Sequence, residues 1–137
     1  ANNGDTIEIW GDGLQTRSFL YIDECLTGIE KLMQSDFAGP VNIGSDQMVT
    51  INDLAKMIID ISGKTLSIVN VPGPEGVRGR NSDNRLILDK LQWKPTCDLY
   101  PGLQKLYRWI EAQIEEQSDR LLSDFKRDAG EWGYAPE

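Results

Sequence analysis

The supply of strands limits this chain's fold more than any other feature. Three stretches have strand character, and all are short. Ile7-Glu8-Ile9-Trp10 alternates and ends at the turn Gly11-Asp12-Gly13. Val41-Asn42-Ile43-Gly44 has the look of a buried strand, and Leu66 to Val71 alternates again. Arg17 to Tyr21 is a further extended stretch, brief and aromatic. So few short strands cannot build a doubly wound sheet unaided. The expectation is a small mixed α/β domain of short strands and about four helices.

Helical spacing fills the intervals. Ile22, Leu26, Ile29 and Leu32-Met33 recur on one face, with Asp23 and Glu24 in a first turn where the helix dipole favours acids. Thr50 with Asp53 three residues on is a variant capping box. Leu54, Met57-Ile58 and Ile61 form the stripe behind it, and Gly63 stops the helix. The loop Pro72-Gly73-Pro74-Glu75-Gly76 follows the last strand. A third helix is expected from an Asp83 cap through Leu86, Ile87 and Leu91. A fourth starts near Pro101, which a first turn tolerates, and presents Leu103, Leu106, Ile110 and Ile114. Trp93 and Trp109 are expected core anchors, and Cys25 a small buried helix residue. The domain is expected to span residues 1–117. Residues 118–137 form a helical extension, in which Leu121, Leu122 and Phe125 prolong the last helix, and a tail from Gly130 to Glu137.

Charge and composition remove several functions. The net charge of −8 opposes a general nucleic-acid or acidic-membrane surface, yet a few gathered arginines still suffice for one small anion. No apolar run approaches the ~20 residues of a membrane span. There is no histidine, so the Ser-His and Cys-His arrangements and the common zinc sites are excluded. Cys25 and Cys97 lie far apart in the chain and match no metal spacing, which points to reduced thiols in a cytoplasmic protein. Ala1-Asn2-Asn3-Gly4-Asp5 has no basic or apolar leader and reads like a cut inside a loop.

Three segments carry a resemblance. The first is Trp10-Gly11-Asp12-Gly13-Leu14-Gln15-Thr16-Arg17-Ser18-Phe19 followed by Tyr21-Ile22-Asp23. The second is Asn42-Ile43-Gly44-Ser45 with Thr50 and the helix after it. The third runs from Asp83 through Leu91-Gln92-Trp93-Lys94-Pro95 to Leu99 and Gly102-Leu103. In this order, over roughly residues 6–115, they resemble the extended short-chain dehydrogenase/reductase family of nucleotide-sugar epimerases and dehydratases. The run Pro72 to Asn84, with Phe19 and Ile22-Asp23-Glu24-Cys25, narrows the resemblance to epimerases of GDP-linked sugars. What this implies is the substrate-binding, carboxy-terminal part of such an enzyme without its Rossmann domain. The partner implied is a nucleotide-diphosphate sugar, and NAD is the cofactor of the complete enzyme.

The residues support an anion role in their own right. A diphosphate carries about two negative charges, and the arginine fork pairs bidentately with phosphate oxygens. Arg17 sits just past a glycine-rich turn, while Arg78 and Arg80 sit in a loop whose glycines permit close backbone approach. The competing reading is that each is a solvated loop charge worth little. The resemblance assigns the diphosphate to the positions of Arg17 and Arg80, with Arg78 nearby or facing solvent. Asn81 and Ser82, beside Arg80, are candidate ligand contacts, and capping of the next helix is an equal alternative for Ser82 and Asp83. Cys25 has no histidine to activate it as a nucleophile. Asp23-Glu24 and Glu115-Glu116 are explained by helix dipole and solvated faces.

The departures from the family are as informative. No glycine-rich dinucleotide fingerprint follows a first strand, and no tyrosine has a lysine four residues on. Gln92 stands where the family carries the glycine of a Leu-Gly-Trp turn. The chain alone is therefore expected to hold no NAD, to perform no catalysis and to contribute no catalytic residue. It is also expected to self-associate through a face left uncovered. Another nucleotide-sugar epimerase or dehydratase, and a free-standing interaction module, are the competing identities.

Overall fold

A computed structural model describes residues 4–131, with side chains to residue 120. The order is β1 (Thr6–Trp10), β2 (Thr16–Ser18), α1 (Ile22–Met33), β3 (Met48–Thr50), α2 (Ile51–Ser62), β4 (Ser67–Val71), β5 (Gly79–Arg80), α3 (Arg85–Leu91) and α4 (Leu99–Glu131). The α/β class, the short strands and the four helices are as the sequence leads one to expect. The strands make two small sheets. β1 and β4 pair in parallel, from Thr6 opposite Ser67 to Trp10 opposite Val71. β2 is the middle strand of the other sheet, antiparallel to β3 and parallel to β5.

The chain divides into two compact units, Ala1–Gln104 and Lys105–Glu137. The first holds both sheets and the buried core, made of Ile9, Ala55, Ile87, Trp93 and Leu99 around a fully enclosed Ile87. α2 has its boundaries written in the sequence. Thr50 Oγ1 accepts the Asp53 backbone N–H at 3.0 Å and donates to Asp53 Oδ2 at 2.7 Å. Gly63 ends the helix in the left-handed region at φ 63°, where a Cβ is costly. The second unit is helical up to Glu131, and the rest of the expected tail, 132–137, lies outside the described residues.

Several expectations are corrected. Val41–Gly44 forms no strand, because no described strand runs alongside to complete a ladder. Side chains tether it instead: Asn84 Nδ2 donates to the Gly44 carbonyl at 2.9 Å, and Asn42 Nδ2 donates to the Asp83 carbonyl at 3.4 Å. Conversely β3 and β5, of three and two residues, are strands only because β2 lies between them. Trp109 is no core anchor; it is 61% exposed, whereas Trp93 is buried as expected. The α4 face is open too, with Leu106, Ile110 and Ile114 exposed. Cys25 is half-buried. The buried position of α1 is Gly28, where an added Cβ would fall 2.8 Å from Ile43 and 3.2 Å from Trp93.

Candidate functional site

The turn Gly11-Asp12-Gly13 leads from β1 into β2 and so delivers Arg17. Gly11 and Gly13 take positive φ, 76° and 68°, and each lies against a side chain, Glu75 and Asn52 respectively, that leaves no room for a Cβ. Asp12 accepts the Leu14 N–H at 2.8 Å, closing an Asx turn. The loop after β4 returns across this turn. Asn70 Nδ2 donates to the Gly11 carbonyl and the Gly11 N–H donates to the Val71 carbonyl, both at 2.9 Å.

That crossing places the arginines. β5 pairs with β2 so that Thr16 lies opposite Gly79 and Arg17 opposite Arg80. Gly79 is needed for this approach, since a Cβ there would fall 2.9 Å from Thr16 Oγ1. Two like charges thus stand side by side on neighbouring strands of one sheet. Arg17 is half-buried and donates through Nη1 to the Thr16 carbonyl at 2.7 Å, while Arg80 is exposed. Among the described residues neither has a carboxylate within ion-pair distance. Gly76, at φ 69°, leaves the nearest side-chain atom to its missing Cβ as Arg17 Nη2, at 3.8 Å.

Arg78 is placed differently. Its guanidinium bridges Asp12 at 2.9 Å and Glu75 at 3.3 Å. The hydrogen bond from Arg78, with that from Leu14, holds the Asp12 carboxyl below its ordinary range, and Asp12 in turn raises Arg78. Asn81 is exposed and Ser82 half-buried, and both line a groove of about 670 Å3 with Asp46, Leu88 and Lys94. Ser82 is partly committed: its hydroxyl donates to Asn84 Oδ1 at 2.7 Å, and it lies so close to Gly44 that a Cβ there would meet it at 2.6 Å. Asp83 rather than Ser82 attends the start of α3, its Oδ1 accepting the Arg85 N–H at 3.1 Å. The Arg85 guanidinium lowers the Asp83 carboxyl to about 2.

The sequence reading missed two participants. Asp12 is the ion-pair partner of an arginine 66 positions away, a separation no local pattern reveals. Glu24 accepts three hydrogen bonds, from the Thr96 N–H (2.6 Å), the Thr96 hydroxyl (2.8 Å) and the Cys97 N–H (3.1 Å). It therefore ties α1 to the approach to α4, beyond any helix-dipole role.

The glycine turn after β1 does not have the form of a dinucleotide cradle. A pyrophosphate cradle needs a glycine turn opening directly onto a helix N-terminus. Here the turn at Gly11–Gly13 opens onto β2, and α1 begins only at Ile22.

No profile of a known protein family matches the chain. Individual proteins do. GDP-mannose 3,5-epimerase of Arabidopsis thaliana is 57% identical over 113 residues, which is 82% of this chain and 30% of that protein. UDP-glucuronic acid decarboxylase 1 of Danio rerio is 29% identical over 120 residues, 87% of this chain and 29% of that protein. Among solved structures, UDP-glucose 4-epimerase of Thermotoga maritima, with UDP-glucose, aligns at TM-score 0.75 and 27% identity over 80% of this chain and 36% of its own. UDP-glucuronic acid 4-epimerase of Bacillus cereus, with UDP-glucuronic acid and NAD, aligns at 0.71 and 31% over 77% of this chain and 35% of its own. The chain thus spans about a third of the length of these relatives, and within that third it belongs to the NAD-dependent nucleotide-sugar epimerases and dehydratases of the extended short-chain dehydrogenase/reductase type.

Proposed function

We propose that this chain is the carboxy-terminal, substrate-binding portion of an NAD-dependent 3,5-epimerase acting on GDP-mannose or a near relative of it. The observation that carries the reading is the register of Arg17 with Arg80, two arginines opposite one another on adjacent strands, neither with a carboxylate within ion-pair distance among the described residues. Such a pair is unfavourable until a dianion arrives, and a diphosphate is the dianion common to all nucleotide sugars. The 57% identity to a GDP-mannose 3,5-epimerase supports the choice of base and sugar. Asn81 and Ser82 follow Arg80 directly, and their groove suits a sugar or base beyond the phosphates. Arg78 borders the site. NAD and the catalytic groups belong to the remainder of the enzyme, so the isolated chain is inactive. Free thiols at Cys25 and Cys97 fit a cytoplasmic setting, and no described helix is long and apolar enough to cross a membrane.

The test is titration of the 137-residue chain with GDP, followed by NMR. Binding is expected to be weak, about millimolar, since the open site leaves water to screen the charges. Arg17→Ala and Arg80→Ala should each weaken it about five-fold, a conservative share of a charge-assisted contact. If both variants bind GDP as the natural sequence does, the diphosphate role is wrong.

A further inference from the structure

We propose that Arg78 is not an anion ligand but the latch of the anion site, with Asp12 as its keeper, so that the three arginines divide into one that positions and two that bind. The proposal rests on the reading of Arg17 and Arg80 as the anion pair and adds how that pair is held. β5 is two residues long and sits at a sheet edge. It also carries Arg80 against Arg17, so its own ladder is opposed by like charge. Something else must keep it closed.

The residue immediately before β5 supplies it. The Arg78 carbonyl accepts the Thr16 N–H at 2.9 Å, and its guanidinium reaches across to Asp12 through two oxygens, Nη1 to Oδ1 at 3.0 Å and Nη2 to Oδ2 at 2.9 Å. Asp12 is itself fixed by the Leu14 N–H, and Glu75 Oε2 also accepts from Arg78 Nη1, at 3.3 Å. A single exposed ion pair contributes little, but a bidentate one inside a network, with its acid already oriented, is the exception. The same contact occupies both terminal nitrogens of Arg78 with carboxylate, which competes with any phosphate for them.

For Asp12→Ala, a direct ligand and a latch give opposite signs. Inorganic pyrophosphate is titrated into the full chain at about 0.15 M salt, where distant charges are screened. With a latch, Asp12→Ala and Arg78→Ala each weaken binding about three-fold, the scale of one network ion pair. The double variant is then no weaker than either single one, because both remove the same link. Tighter binding by Asp12→Ala overturns the proposal, because that is what freeing a phosphate ligand from its competing acid produces. Unchanged binding overturns it too. Hydrogen exchange at the Thr16 amide reads the latch without any ligand. Protection there should fall several-fold in Asp12→Ala, and protection equal to that of the natural sequence overturns the proposal. Should Arg17→Ala and Arg80→Ala leave pyrophosphate binding intact, the anion-pair reading fails, and the amide measurement still judges the latch.

Discussion

Gln92 closes α3 in the left-handed region, at φ 49° and ψ 37°, and is the one non-glycine residue with positive φ among those described. Its backbone N–H completes the end of the helix on the Leu88 carbonyl at 3.0 Å, and its side chain donates to the Asp89 carbonyl at 3.2 Å. The conformation costs an L-residue roughly 1–2 kcal/mol, and glycine gives back part of that through a freer unfolded chain. Gln92→Gly is therefore expected to stabilise the fold by about 0.5–1 kcal/mol, seen as a higher urea midpoint at unchanged slope. A lower midpoint would show that the Gln92 side chain holds more than the backbone loses. Position 92 was legible as a departure from the family's Leu-Gly-Trp turn, and its conformation follows, since the backbone keeps the shape that glycine ordinarily serves. Glu24 was not legible. Its three donors lie more than 70 residues downstream and belong to no repeating pattern.

At the scale of elements, legibility followed the range of the forces involved. α2 was readable from both ends because Thr50, Asp53 and Gly63 act within one turn of where they stand. Thr50→Ala should cost about 1 kcal/mol, the usual value of such a cap. The cap also has a pH signature. Hydrogen bonds from Thr50, then from Lys56, lower the Asp53 carboxyl below its ordinary value of 3.8. A carboxyl depressed on folding stabilises above its unfolded pKa and loses that contribution as pH falls through the folded one. The difference in stability between the natural sequence and Asp53→Asn should therefore be level at neutral pH and shrink below about pH 4. A difference that stays constant to pH 2 would remove the charge from the account. Strands were harder to read. Val41–Gly44 has the composition of a strand but no described neighbour, whereas Gly79–Arg80 has no strand composition and becomes one through Thr16 and Arg17. Pairing across the sequence decides a strand, and a single chain read locally does not display its partners. For the same reason the sequence marked Arg17 and Arg80 as candidates, while their direct register and the diversion of Arg78 to Asp12 emerged only from the fold.

For the first unit as a whole, the surface is the puzzle. α1 buries Gly28 against Trp93 and Ile43, yet its opposite stripe, Ile22, Leu26, Ile29 and Met33, is 58%, 56%, 41% and 81% exposed. A helix apolar on both sides is built to be covered on both. The relatives that match this chain are about three times as long as the matched segment, so they have chain available to cover such a stripe. Alone, the cheapest cover is a second copy. Half-burying four such side chains is worth roughly 1 kcal/mol each, so two stripes facing one another gain about 8 kcal/mol in total. That exceeds the lower estimates of the lost translational and rotational freedom, about 4 kcal/mol, by about 4 kcal/mol. Weak self-association is therefore expected, with a dissociation constant of about 1 mM, visible as a molar mass that rises with concentration in light scattering. Leu26→Lys places a charge in the middle of the stripe and should hold the chain monomeric without touching Gly28 or its partners. A natural chain that remains strictly monomeric at millimolar concentration would show that the stripe tolerates water. If Leu26→Lys associates as strongly as the natural sequence, the contact lies on another face.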